Sequence, residues 1–244
     1  MPELNKANRQ VCDVDIRFLK TGKPFLFFDT ANTTTVGLSG DSTYAMAKGY
    51  RRVAFQNPTE GTLTIEAQVV PFKFYAMLAS GVIETEAAYA EHVEVSATEA
   101  GKLNITDNGI EAGSIYVYAA GEYGGEEIEG VYADGVFTAT TEGDIATGES
   151  YEVGYIVAKD AGVKKVSFTE TTLTQDYYIT MSTVDKDEEG GLTPFIITAY
   201  KASVQRDFEM AFSSEDDPVS YSITFDLLSD KKGRILDFVE DSNV

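Results

Sequence analysis

Ser220-Tyr221-Ser222-Ile223-Thr224-Phe225-Asp226-Leu227 sets Tyr221, Ile223, Phe225 and Leu227 against Ser220, Ser222, Thr224 and Asp226. Successive side chains of a β-strand point to opposite faces, so this string has one apolar face and one wet face. Antiparallel sheets covered on a single side have that character. Residues 62–69 repeat the pattern, with Leu63, Ile65, Ala67 and Val69 opposed by Thr62, Thr64, Glu66 and Gln68. Shorter copies are Tyr177/Ile179/Met181 against Tyr178/Thr180/Ser182, and Phe208/Met210/Phe212 against Asp207/Glu209. A slip of one residue would turn each apolar set to water, so register is strongly specified.

One helix interrupts the strands, over residues 71–81. Pro71 suits the first helical position, Phe72, Tyr75 and Ala79 recur at helical spacing beside Phe74 and Leu78, and Gly81 supplies the stop. One short helix among roughly a dozen strands predicts an all-β fold, a β-sandwich or barrel with the helix capping one opening.

The 244 residues carry 19 Lys+Arg against 40 Asp+Glu, a formal net charge of −21. Nucleic-acid affinity comes mainly from Lys and Arg neutralising phosphates, so this balance argues against a phosphate-binding surface and against an anionic membrane. A 43% hydrophobic content with 14 Phe and 14 Tyr is too rich in core-formers for a disordered acidic tail. Cys12 and His92 are each the only residue of their kind, which excludes an internal disulfide and a Cys/His zinc site from one chain. The first eleven residues are polar and the longest nearby apolar run is Phe25-Leu26-Phe27-Phe28, too short for a signal core or a membrane span. The expectation is a soluble protein made in a cytoplasm.

Charge is unevenly spread: −1 over residues 1–91, −10 over 92–168 and −10 over 169–244. The middle segment has its own rhythm, with short strands expected at 93–97, 102–106, 114–119, 136–140, 151–157 and 164–168. Asn-Gly, Gly-Gly and Asp-Gly turns punctuate them. Such spacing reads as a small immunoglobulin-like sandwich at 92–168, inserted between the two parts, 1–91 and 169–244, of a larger β-domain.

Chemistry-bearing motifs are sparse. Gly22-Lys23 lacks the rest of a phosphate loop, and Gly37-Leu38-Ser39-Gly40-Asp41 has Asp where a nucleophile elbow needs its second Gly. Asp185-Lys186-Asp187-Glu188-Glu189-Gly190 mimics half a calcium loop, but its twelfth position is Ile196, so it reads as an acidic hairpin tip. Phe27-Phe28-Asp29-Thr30-Ala31 resembles the catalytic string of aspartic proteases, whose mechanism needs a second carboxylate sharing one proton; the chain has no second copy. No acid, base and nucleophile converge in the sequence. The expectation is a non-enzyme without cofactor or metal.

Residues 30–50 form a stretch rich in Thr, Ser and Gly, with few core-formers between strong strands. Read as a long loop, it is a candidate arm that orders against a neighbour. Its candidate contact residues are Thr30, Asn32, Thr34, Val36, Leu38, Tyr44, Met46 and Tyr50.

The order of these features resembles the bacteriophage major tail protein, or tail tube protein, family. The resemblance rests on the polar N-terminal arm, the Thr/Gly loop, Ala47-Lys48-Gly49-Tyr50-Arg51-Arg52-Val53, and Gly61-Thr62-Leu63-Thr64-Ile65-Glu66-Ala67-Gln68 leading into 71–81. It extends to the closing strands at 195–200, 208–212, 221–228 and 235–239, and so covers roughly 1–91 and 169–244. It implies hexameric rings stacked into a hollow tube, with DNA passing through the lumen unbound. The 30–50 loop would bridge rings, and residues 1–11 and 237–244 would add contacts. It also implies residence in the virion tail, synthesis in the host bacterial cytoplasm, no membrane, and terminator, tape measure and distal tail proteins as neighbours. The insertion at 92–168 departs from the minimal family pattern and favours a non-contractile tail, since an outer module leaves no room for a sheath. Rival readings are a capsid decoration or baseplate protein, a two-module β-rich binding protein, and, remotely, an aspartic protease using Asp29.

Overall fold

The computed structural model describes residues 5–111, 113–170, 173–210, 212, 214 and 218–241. By its internal contacts the chain divides into two compact units: residues up to Val82 together with those from Val166 onward, and Ile83–Lys165.

The first unit begins with β1 (Lys6–Ala7), β2 (Asp13–Phe18), β3 (Pro24–Phe28) and β4 (Ala31–Ser39), followed by β5 (Ser42–Ala47), β6 (Tyr50–Gln56) and β7 (Glu60–Ala67). Helix α1 (Lys73–Ala79) leads to the second unit, which holds β8 (Ala87–Ser96), β9 (Lys102–Asn104), β10 (Tyr116–Ala119), β11 (Gly130–Ala133), β12 (Val136–Ala139) and β13 (Ser150–Lys159). The chain returns to the first unit with β14 (Asp176–Asp187), β15 (Leu192–Val204), β16 (Tyr221–Leu227) and β17 (Leu236–Glu240). Among the described residues the fold is all-β with one short α-helix, as the alternation predicts.

In the first unit the strands run β3-β2-β14-β15-β16-β7-β4, all antiparallel, with β1 beside β14 and β17 beside β15. The two alternating strings at 220–227 and 62–69 are neighbours: Ile223 faces Ile65 and Phe225 faces Leu63 across β16 and β7. Those four side chains are at most 2% exposed. On the opposite face Thr64 and Thr224 share a hydroxyl hydrogen bond of 3.1 Å, so the polar half of the alternation is also used across the strands. Phe74 of α1 packs among Phe28, Tyr221 and Phe208, closing one side of the core. The helix ends one residue before the expected stop. Ser80 takes the left-handed conformation (φ 50°), its N–H bonding Met77, while Gly81 N–H bonds Ala76.

The second unit has two three-stranded sheets, β10-β13-β8 and β11-β12-β9, which share one core that includes Leu103, Val117, Phe137, Ile145, Val153 and Val157. Asp134 and Gly135 both have positive φ and close the β11–β12 hairpin, the reason an Asp-Gly pair sits there.

Three expectations need correction. Residues 30–50 are not a loop: β4 pairs along β7 from Ala31 to Ser39, and its few core-formers reflect an edge strand with one half-covered face. Phe208 and Met210 lie outside any strand, as does Phe212; Phe208 packs on the core with its ring against Phe74, while Phe212 is 79% exposed. In 164–168 only an isolated bridge, Glu84 with Lys165, is present, and the strand at Gly130–Ala133 was not anticipated.

Candidate protein–protein interface

The sequence-predicted contact residues fall in three places. Thr30 lies in the short link after β3, its hydroxyl bonding the Val69 carbonyl at 2.8 Å. Asn32, Thr34, Val36 and Leu38 lie on β4. Thr34 and Val36 face the unit's own interior, opposite Ile65 and Leu63, and Thr34 Oγ1 accepts the Cys12 N–H at 3.4 Å. Only Tyr44 and Met46 on β5 and Tyr50 on β6 belong to a segment standing apart.

That segment is the β5–β6 hairpin. Its two strands pair with each other and with no other strand among the described residues, and all but Ser42 of its strand residues are exposed. Lys48 and Gly49 form the tip with φ 51° and 81°, the positive pair a tight two-residue hairpin turn requires. A bulge at Arg52 shifts register between Ala45↔Val53 and Met46↔Arg51. Opposed residues of an antiparallel pair share a face, so the register sorts the side chains. One face holds Thr43, Ala45, Ala47, Tyr50, Val53 and Phe55; the other holds Ser42, Tyr44, Met46, Arg51, Ala54 and Gln56.

The first face is apolar except for Thr43 and the Tyr50 hydroxyl, and Tyr50, Val53 and Phe55 are 70%, 51% and 59% exposed. On the second, the Arg51 guanidinium lies 4.3 Å over the Tyr44 ring. Lys48, Arg51 and Arg52 give the hairpin three cations, and Ser42 to Gln56 contains no Asp or Glu, in a chain whose net charge is −21. An isolated two-stranded hairpin is marginal in water, and one showing apolar side chains on both faces gains stability by being covered. Sequence reasoning missed Lys48, Arg51, Arg52, Val53 and Phe55. The signal was present in the Lys48-Gly49 turn with alternation on either side, masked by reading residues 30–50 as one unit.

At the hairpin's root lies a groove of about 780 Å³ where β4 ends and β7 begins, floored by Gly61, Leu227 and Ile235 and rimmed by Glu60 and Asp226. A Cβ on Gly61 would sit 3.0 Å from both Leu227 Cβ and Leu38 Cδ2, so glycine there keeps the floor close-packed without filling it. Beyond the groove, Arg234 lies 3.7 Å over the Tyr200 ring and binds Asp230, which holds the Asp230 carboxyl below its usual range, chiefly through the hydrogen bond from the Arg234 backbone N–H.

The described terminal segments are tied to the first unit. Lys6 of β1 pairs with Glu240 of β17, Asn5 donates to Glu188, and Asn8 donates to Thr183 and Asp185. Residues 1–4 and 242–244, parts of the two expected terminal contact segments, lie outside the described residues. The acidic string at 185–190 is the β14–β15 hairpin tip, where Asp187 accepts the Glu189 and Gly191 N–H groups. Asp29 is exposed in the link between β3 and β4, and no group of His, Cys, Asp or Glu among the described residues could hold a metal. No helix among them is long and apolar enough to cross a membrane.

No curated protein matches the chain. Residues 9–238, spanning both units, match the YomU/Tube protein family, and the chain belongs to that family.

Proposed function

We propose that this protein is the structural subunit of a phage tail tube, assembling into hexameric rings that stack around a channel for DNA. The observation that carries this reading is the β5–β6 hairpin, which displays Tyr50, Val53 and Phe55 on one face and three cations near its tip, with no other strand among the described residues paired to it. Family membership supports a tube component; the hairpin supplies the physical means of joining copies. Sheet edges supply another, since β3 and β4 are the outermost strands of the large sheet and offer unpaired backbone groups to a neighbour.

An acidic subunit suits a conduit, because carboxylates and hydroxyls give passing phosphates no adhesive site. The second unit, read as an immunoglobulin-like sandwich, stands outside the tube in this proposal, since a module of that size in the lumen would obstruct it. That position favours a non-contractile tail, whose neighbours are the terminator, tape measure and distal tail proteins. Negative-stain microscopy of the purified chain tests the reading: rings or filaments of one uniform bore are expected. Monodisperse single copies under conditions of high concentration and salt would favour a decoration or binding protein instead.

A further inference from the structure

We propose that the outer face of the β10-β13-β8 sheet is a docking surface for a basic, extended polypeptide. Arg and Lys side chains of that partner lie on the sheet's tyrosine rings and among its carboxylates. The surface belongs to the second unit alone, and its use is independent of tube assembly.

Alternation along the three strands sorts their side chains. Val117 on β10 and Tyr151, Val153, Tyr155 and Val157 on β13 are buried, so the residues between them face outward. Opposed residues share a face, which makes Tyr116, Gly154 and His92 one outward row and Tyr118, Glu152 and Glu94 the next. Tyr123, in the connection after β10, lies over the first row: a Cβ on Gly154 would fall 2.1 Å from its hydroxyl oxygen. Its ring rests against His92 with centroids 4.1 Å apart and meets Tyr118 edge-on at 5.3 Å. Glu152 fixes the cluster, pairing with His92 Nε2 at 2.7 Å and accepting the Gly121 N–H at 2.8 Å. Tyr123 is thus held in place, yet it is 51% exposed and Tyr116 is 47% exposed.

The charge around these rings selects the occupant. Outward positions of the three strands hold Glu94 and Glu152 and no Lys or Arg. The connection that carries Tyr123 adds Glu122, Glu126, Glu127 and Glu129, all exposed. A cation over a tyrosine face is attracted by the ring as well as by nearby carboxylates, whereas an acidic partner, including another copy's second unit, is repelled. Strands lie about 4.8 Å apart, so the row from Tyr116 to His92 spans about 10 Å. That is too long for one guanidinium, and it suits several cations carried on one extended chain.

Anisotropy of a fluorescent Arg-Gly-Arg-Gly-Arg peptide, titrated with the full chain at ~0.15 M salt, tests the surface. Saturable binding is expected, and none when Glu replaces Arg in the peptide. Tyr116→Ala and Tyr123→Ala should each weaken binding about fivefold, while Tyr116→Phe, which keeps the ring, should retain it. Gly154→Ala should behave like Tyr123→Ala, because the new methyl displaces that ring. Glu142→Gln, which removes an exposed acid outside these strands, should change Kd less than about twofold. Equal losses from Glu142→Gln and Tyr116→Ala would reduce the binding to bulk charge and overturn the surface. Saturable binding of a neutral chitooligosaccharide in place of the peptide would also overturn it, assigning the rings to a glycan. Neither result touches the tube reading, and a chain without rings or filaments in the microscope leaves this surface standing.

Discussion

Tyr155 carries its hydroxyl from the edge of the second unit's core into a pair of carboxylates, donating to Asp107 and to Glu91. Burial raises the Tyr155 pKa above the ordinary tyrosine value, with the Asp107 hydrogen bond adding to it. The same bond, helped by Glu91 and Lys159, lowers the Asp107 pKa. The signs give a window. A depressed carboxyl contributes stability that is present above the ordinary aspartate range, about pH 4, and is lost as pH falls through the folded value. A raised tyrosine contributes stability present below about pH 10 and lost as pH climbs through its folded value. Tyr155→Phe is therefore expected to cost about 1 kcal/mol near neutrality, read by urea unfolding. It should also raise the Asp107 midpoint in a carboxyl NMR titration; an unmoved midpoint would show that Tyr155 does not hold that carboxylate. Gly109 is a second residue-scale test. Its φ is +87° and an added Cβ would overlap the Ala158 carbonyl oxygen, while its own carbonyl accepts the Ala158 N–H at 2.8 Å. Gly109→Ala should destabilise the second unit by about 1–3 kcal/mol, seen as an earlier melting transition.

The elements separate what the sequence exposes from what it hides. β16 and β7 were readable because each buries one face almost completely, so the period-two code is unbroken from Leu63 to Ala67 and from Tyr221 to Leu227. β4 was hidden because an edge strand buries little: Thr33 and Thr35 face outward, and Val36 is the only large apolar residue on its half-covered side apart from the exposed Leu38. The hairpin was half legible. Its turn chemistry is local, but whether Tyr50, Val53 and Phe55 face a core or water is set by the rest of the fold. Phe208/Met210/Phe212 shows the reverse error, three alternating apolar residues that pair with no strand among the described residues. The position of β4 and of the hairpin decides which deletion is informative. Removing residues 30–50 would strip β4 from β7 and cut the hairpin in two, so a misfolded product is expected. Replacing 42–56 by a short turn should leave the β-sheet circular dichroism and melting temperature within a few degrees of the parent, and should abolish stacking in light scattering. Long tubes from that variant would remove the hairpin from the assembly.

At the scale of the whole molecule, charge and connectivity combine. Ile83–Lys165 carries four Lys/Arg against 17 Asp/Glu, a net −13, and leaves −8 to the first unit. Within each unit the two crossing chain segments lie side by side: Glu84 and Lys165 exchange backbone hydrogen bonds of 2.9 Å in the second unit, and the space beside Gly81 is bounded by the Ser167 carbonyl in the first. Excision of 83–165, joining Val82 to Val166, should therefore leave the core built on Leu63, Ile65, Ile223 and Phe225 intact. Like charges brought together by assembly repel over a Debye length of ~8–10 Å at physiological salt and less at higher salt. Polymerisation of the full chain should consequently strengthen as salt rises from about 0.05 to 0.5 M, because burial of Tyr50, Val53 and Phe55 persists while repulsion is screened. The excised chain, relieved of −13 per copy, should reach the same extent of assembly at lower salt and show a shallower salt slope in light scattering. Its filaments should keep the bore of the parent and lose outer diameter. If the excised and full chains shared one salt slope, the second unit's charge would lie too far from its neighbours to matter, and the residual repulsion would belong to the −8 of the first unit.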